Sequence, residues 1–140
     1  MNNATAVKNI LSIGGDPTFQ DWSGFDSIMY TIKKNYFNIM CLLIDLSSVP
    51  IDFNKHFFTS KTTYLAMASK LASSNMVISL LTAGADANIQ DYLHKTPIFY
   101  SIELNDFDSI YALVDYGATL TIIDDFNKSP VDYAYEKKHL

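Results

Sequence analysis

The sequence predicts an all-α solenoid in which short antiparallel helix pairs stack in order, joined by projecting β-turn or hairpin loops. Three kinds of landmark recur after 33 residues: the glycines Gly84 and Gly117, the dipeptides Thr96-Pro97 and Ser129-Pro130, and the aspartates Asp91 and Asp124. A period shared by independent landmarks is typical of repeated structure. Each period is therefore expected to be one helix pair, which buries its apolar face only against its neighbours.

The elements of one repeat follow from its polar and helix-ending residues. A side chain that can accept a hydrogen bond from a free helix N–H precedes each predicted first helix; these residues are Asp26, Thr63, Thr96 and Ser129. Pro97 and Pro130 follow at the first helical position, where a missing N–H does no harm. In the third repeat the first helix should end near Asn105-Asp106, and the second should cover Ser109 to Asp115. Gly14, Gly84 and Gly117 should supply the left-handed residue after a second helix.

The spacing of the predicted caps gives the domain organisation. Asp26 and Thr63 are 37 residues apart, so about four residues are inserted between Ser47 and Thr62. Ser48-Val49-Pro50 makes this insertion a loop. The chain is thus predicted to be one domain, residues 1–140. Its parts are a partial N-terminal repeat (1–20), the first repeat with its longer loop (21–57), the second (58–90), the third (91–123) and a partial C-terminal repeat (124–140).

Composition excludes several classes of function. Of 140 residues 49% are hydrophobic, which is enough for a folded core, and the net charge of −5 disfavours a nucleic-acid partner. The single cysteine, Cys41, permits neither an intrachain disulfide nor a cysteine-based zinc site. The longest apolar run, residues 39–44, is far shorter than the about 20 residues of a membrane span. We expect a cytoplasmic protein without cofactor, metal or membrane contact.

Several stretches resemble the ankyrin repeat. The family pattern Leu-Leu-x-x-Gly-Ala-Asp-x-Asn is complete over residues 80–88, and the Thr-Pro-Leu-His-x-Ala signature is similar to residues 96–101. The lead-in Asp-x-x-Gly-x-Thr is matched by residues 21–26, and more loosely by residues 91–96 and 124–129. The resemblance implies a turn followed by two antiparallel helices, and a role in binding proteins. Two features depart from the pattern: Ser47 replaces a glycine, and the position of the family's histidine holds Met29, Ala66, Phe99 and Asp132.

The resemblance also implies where a partner would bind, namely the concave face made by the turns and the first helices. Its contact positions hold Trp22, Ser23, Phe25, Lys33 and Lys34 in the first repeat; Thr59, Ser60, Thr62, Lys70 and Leu71 in the second; Tyr92, Leu93, Lys95, Glu103 and Leu104 in the third; and Asp125, Phe126 and Lys128 in the last. Turn tips normally carry small polar residues, so Trp22, Phe25, Tyr92, Leu93 and Phe126 are candidates for a binding stripe. Alternatively, each folds back on the next turn in a small satellite core.

The lysines allow two interpretations as well. Lys33, Lys34, Lys70 and Lys95 either form a basic ridge suited to an acidic segment of a partner, or line a solvated helix face. Salt sensitivity of binding separates the two interpretations.

No residue pattern indicates catalysis or metal binding. Cys41 lies in an apolar stretch of a predicted helix, so a nucleophile–base pair with His56 is disfavoured. His56, His94 and His139 lack the spacing of metal ligands. Asp106 and Asp108 stand where the second helix should begin, a place that favours acidic residues.

The sequence therefore predicts a non-catalytic protein–protein interaction module, monomeric, with a protein partner. Two alternatives stay open: the targeting part of a larger effector or enzyme, and end-to-end stacking through apolar faces at Val7/Ile10 or Val131/Tyr135. The abundance of Asn, Ile, Lys and Tyr is typical of AT-rich genomes. By analogy with ankyrin-type proteins of large DNA viruses and intracellular bacteria, a host protein in the host cytoplasm is the expected partner.

Overall fold

The computed structural model describes residues 3–138, and within that range every regular element is an α-helix. The helices are α1 (Asn3–Ser12), α2 (Ser27–Lys34), α3 (Phe37–Leu46), α4 (Tyr64–Lys70), α5 (Ser74–Thr82), α6 (Pro97–Glu103), α7 (Phe107–Asp115) and α8 (Pro130–Lys138). Between residues 3 and 138 the only β-type pairing is one isolated bridge between Phe57 and Thr62. The all-α prediction is confirmed. His139 lies outside the described residues.

The chain divides into two compact units. The N-terminal unit, Met1–Asp52, contains α1 to α3, and the C-terminal unit, Phe53–Leu140, contains α4 to α8. The division falls inside the loop where the sequence predicts inserted residues. In the N-terminal unit α3 packs against both α1 and α2. In the C-terminal unit α6 packs against α4, α7 and α8, while α5 packs against α4 and α7.

The first helices begin at the predicted caps, with one exception. The Asp26 carboxylate accepts from the Met29 N–H at 2.8 Å, and Thr63 Oγ1 accepts from the Ala66 N–H at 3.2 Å. Ser129 Oγ accepts from the Asp132 N–H at 3.2 Å. Thr96 precedes α6 with extended backbone, but its side chain makes no capping bond. That part of the prediction is wrong: the helix begins with Pro97, and the Thr96 hydroxyl is buried.

The second helices are present as predicted, but α7 begins earlier than the sequence indicates. The helix predicted from Ser109 begins two residues earlier, at Phe107. The reason is that Asp106 caps it, with its carboxylate accepting from the Ser109 N–H at 3.3 Å. Gly84 and Gly117 follow the second helices with φ values of +111° and +91°, as predicted. Ser47, the residue without that glycine, keeps an extended conformation with φ −64°.

Residues with left-handed backbone conformation also recur at equivalent positions, although their residue types differ. Left-handed residues other than glycine follow the first helices at equivalent positions: Asn35 (φ 58°), Ala72 (φ 53°) and Asn105 (φ 54°). A second set lies at the turn tips: Gly24 (φ 85°), Lys61 (φ 51°), His94 (φ 58°) and Asn127 (φ 59°). Since an L-residue in this region is uncommon, its return after 33 residues in the C-terminal unit and after 37 across the inserted loop shows that the segments share one backbone conformation.

The core of each unit is made of residues at equivalent repeat positions. Ile28 and Met40 are fully buried in the N-terminal unit. In the C-terminal unit the fully buried residues include Leu65, Leu80, Ile98, Phe99 and Leu113. Phe99, at the family's histidine position, packs edge-on against Tyr133 with ring centroids 5.6 Å apart. Among residues 3–138, no helix has the length and apolar character needed to cross a membrane.

Candidate partner-binding surfaces

The turn before α6 is closed by the carboxylate of Asp91. Asp91 Oδ1 accepts from the Leu93 N–H at 2.9 Å and from the Lys95 N–H at 3.1 Å. The backbone N–H of Asp91 donates to the Lys95 carbonyl at 2.9 Å. The remaining oxygen, Oδ2, accepts from the Tyr100 hydroxyl, which lies on α6. One side chain therefore both closes the turn and fastens it to the helix that follows.

The same arrangement recurs twice. Asp124 Oδ1 accepts from the Phe126 and Lys128 N–H groups at 2.9 and 3.1 Å, and its Oδ2 accepts from the Tyr133 hydroxyl at 2.5 Å. In the N-terminal unit, the Asp21 carboxylate accepts from the Tyr30 hydroxyl at 2.6 Å. The aspartates stand at the lead-in positions identified in the sequence, whereas their tyrosine partners were not predicted. The signal was present, because a tyrosine stands nine residues after each of these aspartates.

The segment before α4 lacks this pair and closes its turn differently. Phe58 and Met67 stand at the positions of the aspartate and the tyrosine. Here Phe57 and Thr62 form the isolated β-bridge, with backbone bonds of 2.8 and 3.1 Å in the two directions. Phe58 adopts φ 61°. Where no carboxylate is available to accept the turn N–H groups, the backbone pairs with itself.

In two of these pairs, hydrogen bonds hold the carboxylate in the charged form. Hydrogen bonds from Ser23 and Tyr30 lower the pKa of Asp21 to about 2. Partial burial raises the pKa of Asp124, but bonds from Tyr133 and from turn N–H groups outweigh it and the net pKa is lowered. Burial and the hydrogen bond to Asp91 raise the pKa of Tyr100. At neutral pH the pairs of Asp21 with Tyr30 and of Asp124 with Tyr133 are therefore each a phenol donating to a carboxylate.

Neighbouring turns of the C-terminal unit are bonded to each other. The Tyr92 N–H donates to the Ser60 carbonyl, and the Asp125 N–H donates to the Leu93 carbonyl, both at 3.0 Å. His94 Nδ1 lies 2.5 Å from Asp125 Oδ1. The turn tips of this unit thus form one edge with fixed spacing.

Large side chains project from this edge. Tyr92 is 53% exposed and Phe126 is 62% exposed, while Leu104 at the end of α6 is 48% exposed. Leu93 is half-buried. The exposed fractions of these two residues are high for aromatic residues, most of whose surface is usually buried.

In the N-terminal unit the predicted positions differ in exposure. Trp22 is 99% exposed. Phe25 is half-buried, with its ring centroid 5.3 Å from that of Tyr30 and the Lys33 ammonium 5.3 Å from its own centroid. Lys33 and Lys34 are both exposed in the last turn of α2. This unit presents an indole and two cations.

Lys95 lies in a different environment from the other predicted lysines. It is only 8% exposed, its ammonium donates to Glu103 Oε1 at 2.7 Å, and it lies 4.8 Å from the centre of the Tyr133 ring. Burial lowers its pKa, but the bond and the charge of Glu103 outweigh burial, so the net pKa is raised. Lys70, by contrast, is exposed, with its ammonium 4.7 Å above the Tyr100 ring.

Cys41 and His56, the pair considered above for catalysis, lie in different units. Cys41 is half-buried in α3 of the N-terminal unit. His56 belongs to the C-terminal unit, where its Nε2 lies 3.1 Å from the Gln90 carbonyl. Between residues 3 and 138, no group of three or more His, Cys, Asp or Glu side chains is placed to hold a metal ion.

Comparison with known proteins finds similarity to notch homolog proteins. No family model matches the chain. The chain is 25% identical over 113 residues to neurogenic locus notch homolog protein 1 of Homo sapiens, and 24% identical over 113 residues to the proteins of that name from Mus musculus and Cricetulus griseus. Each match covers 81% of this chain but only 4% of the relative. The chain thus resembles a small segment of these much longer proteins.

Proposed function

We propose that this chain is an ankyrin-repeat solenoid that binds another protein through its turns and first helices, without catalysing a reaction. The repeated backbone conformation and the match to a segment of a protein that contains ankyrin repeats support this proposal. We also propose the repeat boundaries at residues 21, 58, 91 and 124, in one domain. Each boundary places a turn at the start of a repeat, before its helix pair.

The observation that carries the proposal is that exposed aromatic side chains stand on hydrogen-bonded turns. Tyr92 and Phe126 follow directly after Asp91 and Asp125, and their backbone N–H groups are already bonded. Binding of a partner over these rings would immobilise few additional main-chain dihedral angles, because hydrogen bonds already hold the turns. Large aromatic groups on a preordered backbone are typical of binding hot spots, because little conformational entropy is lost on association.

The proposed contact set is refined by exposure. In the C-terminal unit it consists of Tyr92, Phe126, Leu104 and Lys70, with Leu93 and Lys95 beneath them as support. In the N-terminal unit it consists of Trp22, Phe25, Lys33 and Lys34. The chemistry of both sets suits a partner segment with apolar side chains and a carboxylate, since each set combines an exposed aromatic ring with at least one exposed lysine ammonium group.

Site-specific photo-crosslinking tests the proposal. A benzophenone amino acid replaces Tyr92 or Phe126, and the protein is irradiated in an extract of cells that contain its natural partners. We expect a discrete adduct of higher mass from both positions. The matched control replaces Ile78, which is 41% exposed on the second helix α5 and outside the proposed contact set.

A competition experiment compares the wild-type chain with a variant that lacks both rings but should keep the fold. Excess unlabelled wild-type chain should suppress the adduct, whereas the Tyr92→Ser/Phe126→Ser double variant should not. Adducts that form equally from position 78, or that both competitors suppress equally, would contradict the proposed surface.

A further inference from the structure

Equivalent repeat positions differ sharply in exposure at the α8 end of the C-terminal unit. On first helices, Leu65 and Ile98 are 1% and 0% exposed, whereas Val131, the same position on α8, is 54% exposed. On second helices, Leu81 is 2% exposed, whereas Val114 on α7 is 44% exposed. Apolar side chains at the same repeat position are therefore buried on the preceding helices but exposed on α7 and α8.

The bare positions line a groove formed by residues of α6, α7 and α8. Its volume is about 520 Å³, and its apolar lining includes Ile98, Ile102, Ile110, Tyr111, Val114 and Val131. In the preceding repeats the first helices α4 and α6 each pack against their own second helix, α5 and α7. Helix α8 packs on α6, and among residues 3–138 no second helix follows it. The groove therefore fits one second helix.

The N-terminal unit contains a second helix, α1, that also exposes an apolar residue where its interior equivalents are buried. Helix α1 is a second helix by register, because Gly14 follows it with φ +91° as Gly84 and Gly117 follow α5 and α7. Ile10 stands at the position of Leu80 and Leu113, which are both 0% exposed, yet Ile10 is 57% exposed. In the described part of the chain no first helix precedes α1.

A second groove marks the place of that first helix. Its volume is about 260 Å³, and its lining includes Val7, Ile10, Leu11, Pro17, Tyr30 and Ile39. In the described part of the chain, α1 has no first helix paired with it as α6 is paired with α7, and α2 has no preceding first helix packed against it as α8 has α6.

We propose that a second copy of this chain docks head to tail, with its α1 filling the groove beside α8. The two bare helices then form one complete pair, a first helix from one copy and a second helix from the other. In the same joint, α8 fills the groove of the partner's N-terminal unit. The contacts repeat those that already join α6 with α7 and α5 with α7 within one copy. Val131, Val114 and Ile10, which are bare at these ends, each gain the kind of neighbour that buries their interior equivalents.

The geometry of the joint determines the kind of assembly. The two surfaces are different patches of the same molecule, so each docked pair leaves one free end of each kind. Heterologous contacts of this sort build open chains or rings, not a closed dimer. The mass should therefore keep rising with concentration beyond twice the 15.8 kDa of one chain.

Two variants that each block one end test the proposal by complementation. Val131→Lys places a charge in the α8 groove, and Ile10→Lys places one on the bare face of α1; both sites are more than half exposed, so the fold should tolerate them. By light scattering and sedimentation, each variant alone should stay monomeric across a concentration series in which the wild-type mass rises. An equimolar mixture of the two should give a dimer and nothing larger, because only one joint can form.

Controls separate the alternatives. Ile123→Lys charges an apolar residue that is 53% exposed and lines neither groove, and it should associate like the wild type. Ile10→Glu gives an independent block of α1 should the lysine variant lose helical circular dichroism. A wild type that is monomeric at all concentrations, a mixture that stays monomeric, or self-association of the Ile10→Lys variant alone would each overturn the head-to-tail joint. The last result would indicate pairing of α8 with α8.

Discussion

Asp91 and Tyr100, nine residues apart, form a hydrogen bond that joins a turn to the helix that follows it. The Asp91 side chain also accepts two turn N–H groups, so its loss would free both the turn and the phenol. Because Asp91 is 4% exposed, these bonds form where water competes poorly. Repetition of this pair at Asp21–Tyr30 and Asp124–Tyr133 indicates that it fixes the turns on which the proposed contact residues stand.

A double-mutant cycle should detect the Asp91–Tyr100 bond directly. Tyr100→Phe removes the hydroxyl and should lower the free energy of unfolding by about 1.5–3 kcal/mol, as is usual for a bond to a charged group. In an Asp91→Asn background the same change should cost less, and the difference is the coupling energy. Urea unfolding of the four proteins measures it. Equal costs in both backgrounds would show that the hydroxyl contributes nothing through Asp91.

The Asp21 carboxylate should titrate near pH 2 and respond to Tyr30. Because its folded pKa lies below the usual 3.8, the stability that it contributes is present above about pH 4 and is lost as the pH falls towards 2. Tyr30→Phe removes one of the two largest causes of the shift, so the pKa should rise towards its ordinary value. Carbon-detected NMR titration of the side-chain carboxylate measures it. Asp132 is an internal control: its pKa is lowered by bonds from Ser129, and it should not move.

Two threonines at the same repeat position should respond differently to replacement. Thr63 caps α4 through its hydroxyl, so Thr63→Val should cost about 1 kcal/mol of unfolding free energy. Thr96 is fully buried, and within the described part of the chain its hydroxyl has no hydrogen-bond partner. Thr96→Val should therefore be neutral or stabilising, because it replaces an unsatisfied hydroxyl by a methyl group of similar size. Thermal or urea unfolding of both variants tests this. A larger loss of unfolding free energy for Thr96→Val than for Thr63→Val would contradict the prediction, because it would show that the Thr96 hydroxyl makes a stabilising hydrogen bond.

The single tryptophan provides a test of exposure without any partner. Trp22 is 99% exposed, so its fluorescence maximum should match that of free tryptophan in water and change little on unfolding. Acrylamide should quench it as efficiently in the folded as in the unfolded protein. A blue-shifted, protected emission would instead support the satellite core that the sequence left open. Trp22→Ala should leave the melting temperature unchanged.

The backbone offers a further prediction at Gly84. With φ +111° it has a conformation that L-residues rarely adopt, while a Cβ atom placed there would meet nothing within 4 Å. Gly84→Ala should therefore destabilise through conformation alone, by about 1–2 kcal/mol. Ala83→Gly, on the preceding C-cap residue in ordinary helical backbone, is the matched control and should cost less. Unfolding by urea compares the two.

The sequence by itself determined the helix pairs, their 33-residue period, most caps and the glycine stops. These features depend on hydrogen bonds between residues close in the chain, and such bonds need only the right side chain at the right offset. The Asp–Tyr pairs belong to the same class, and their constant offset was readable though it was missed. Even the shared spacing of 37 residues from Asn35 to Ala72 and from Gly24 to Lys61 follows from the inserted loop.

Only the tertiary structure decided which contact-position side chains are exposed. Lys95 is buried because Phe126 and Tyr133, from the next repeat, lie over it, and no local pattern announces that contact. For the same reason Val131 is bare although Ile98 is buried: the difference lies in the neighbouring helix, not in the residue. Exposure at these positions depends on which side chains pack alongside, and in the chain those side chains are about 33 residues away. The surface therefore follows from tertiary packing, whereas the repeated pattern follows from the sequence.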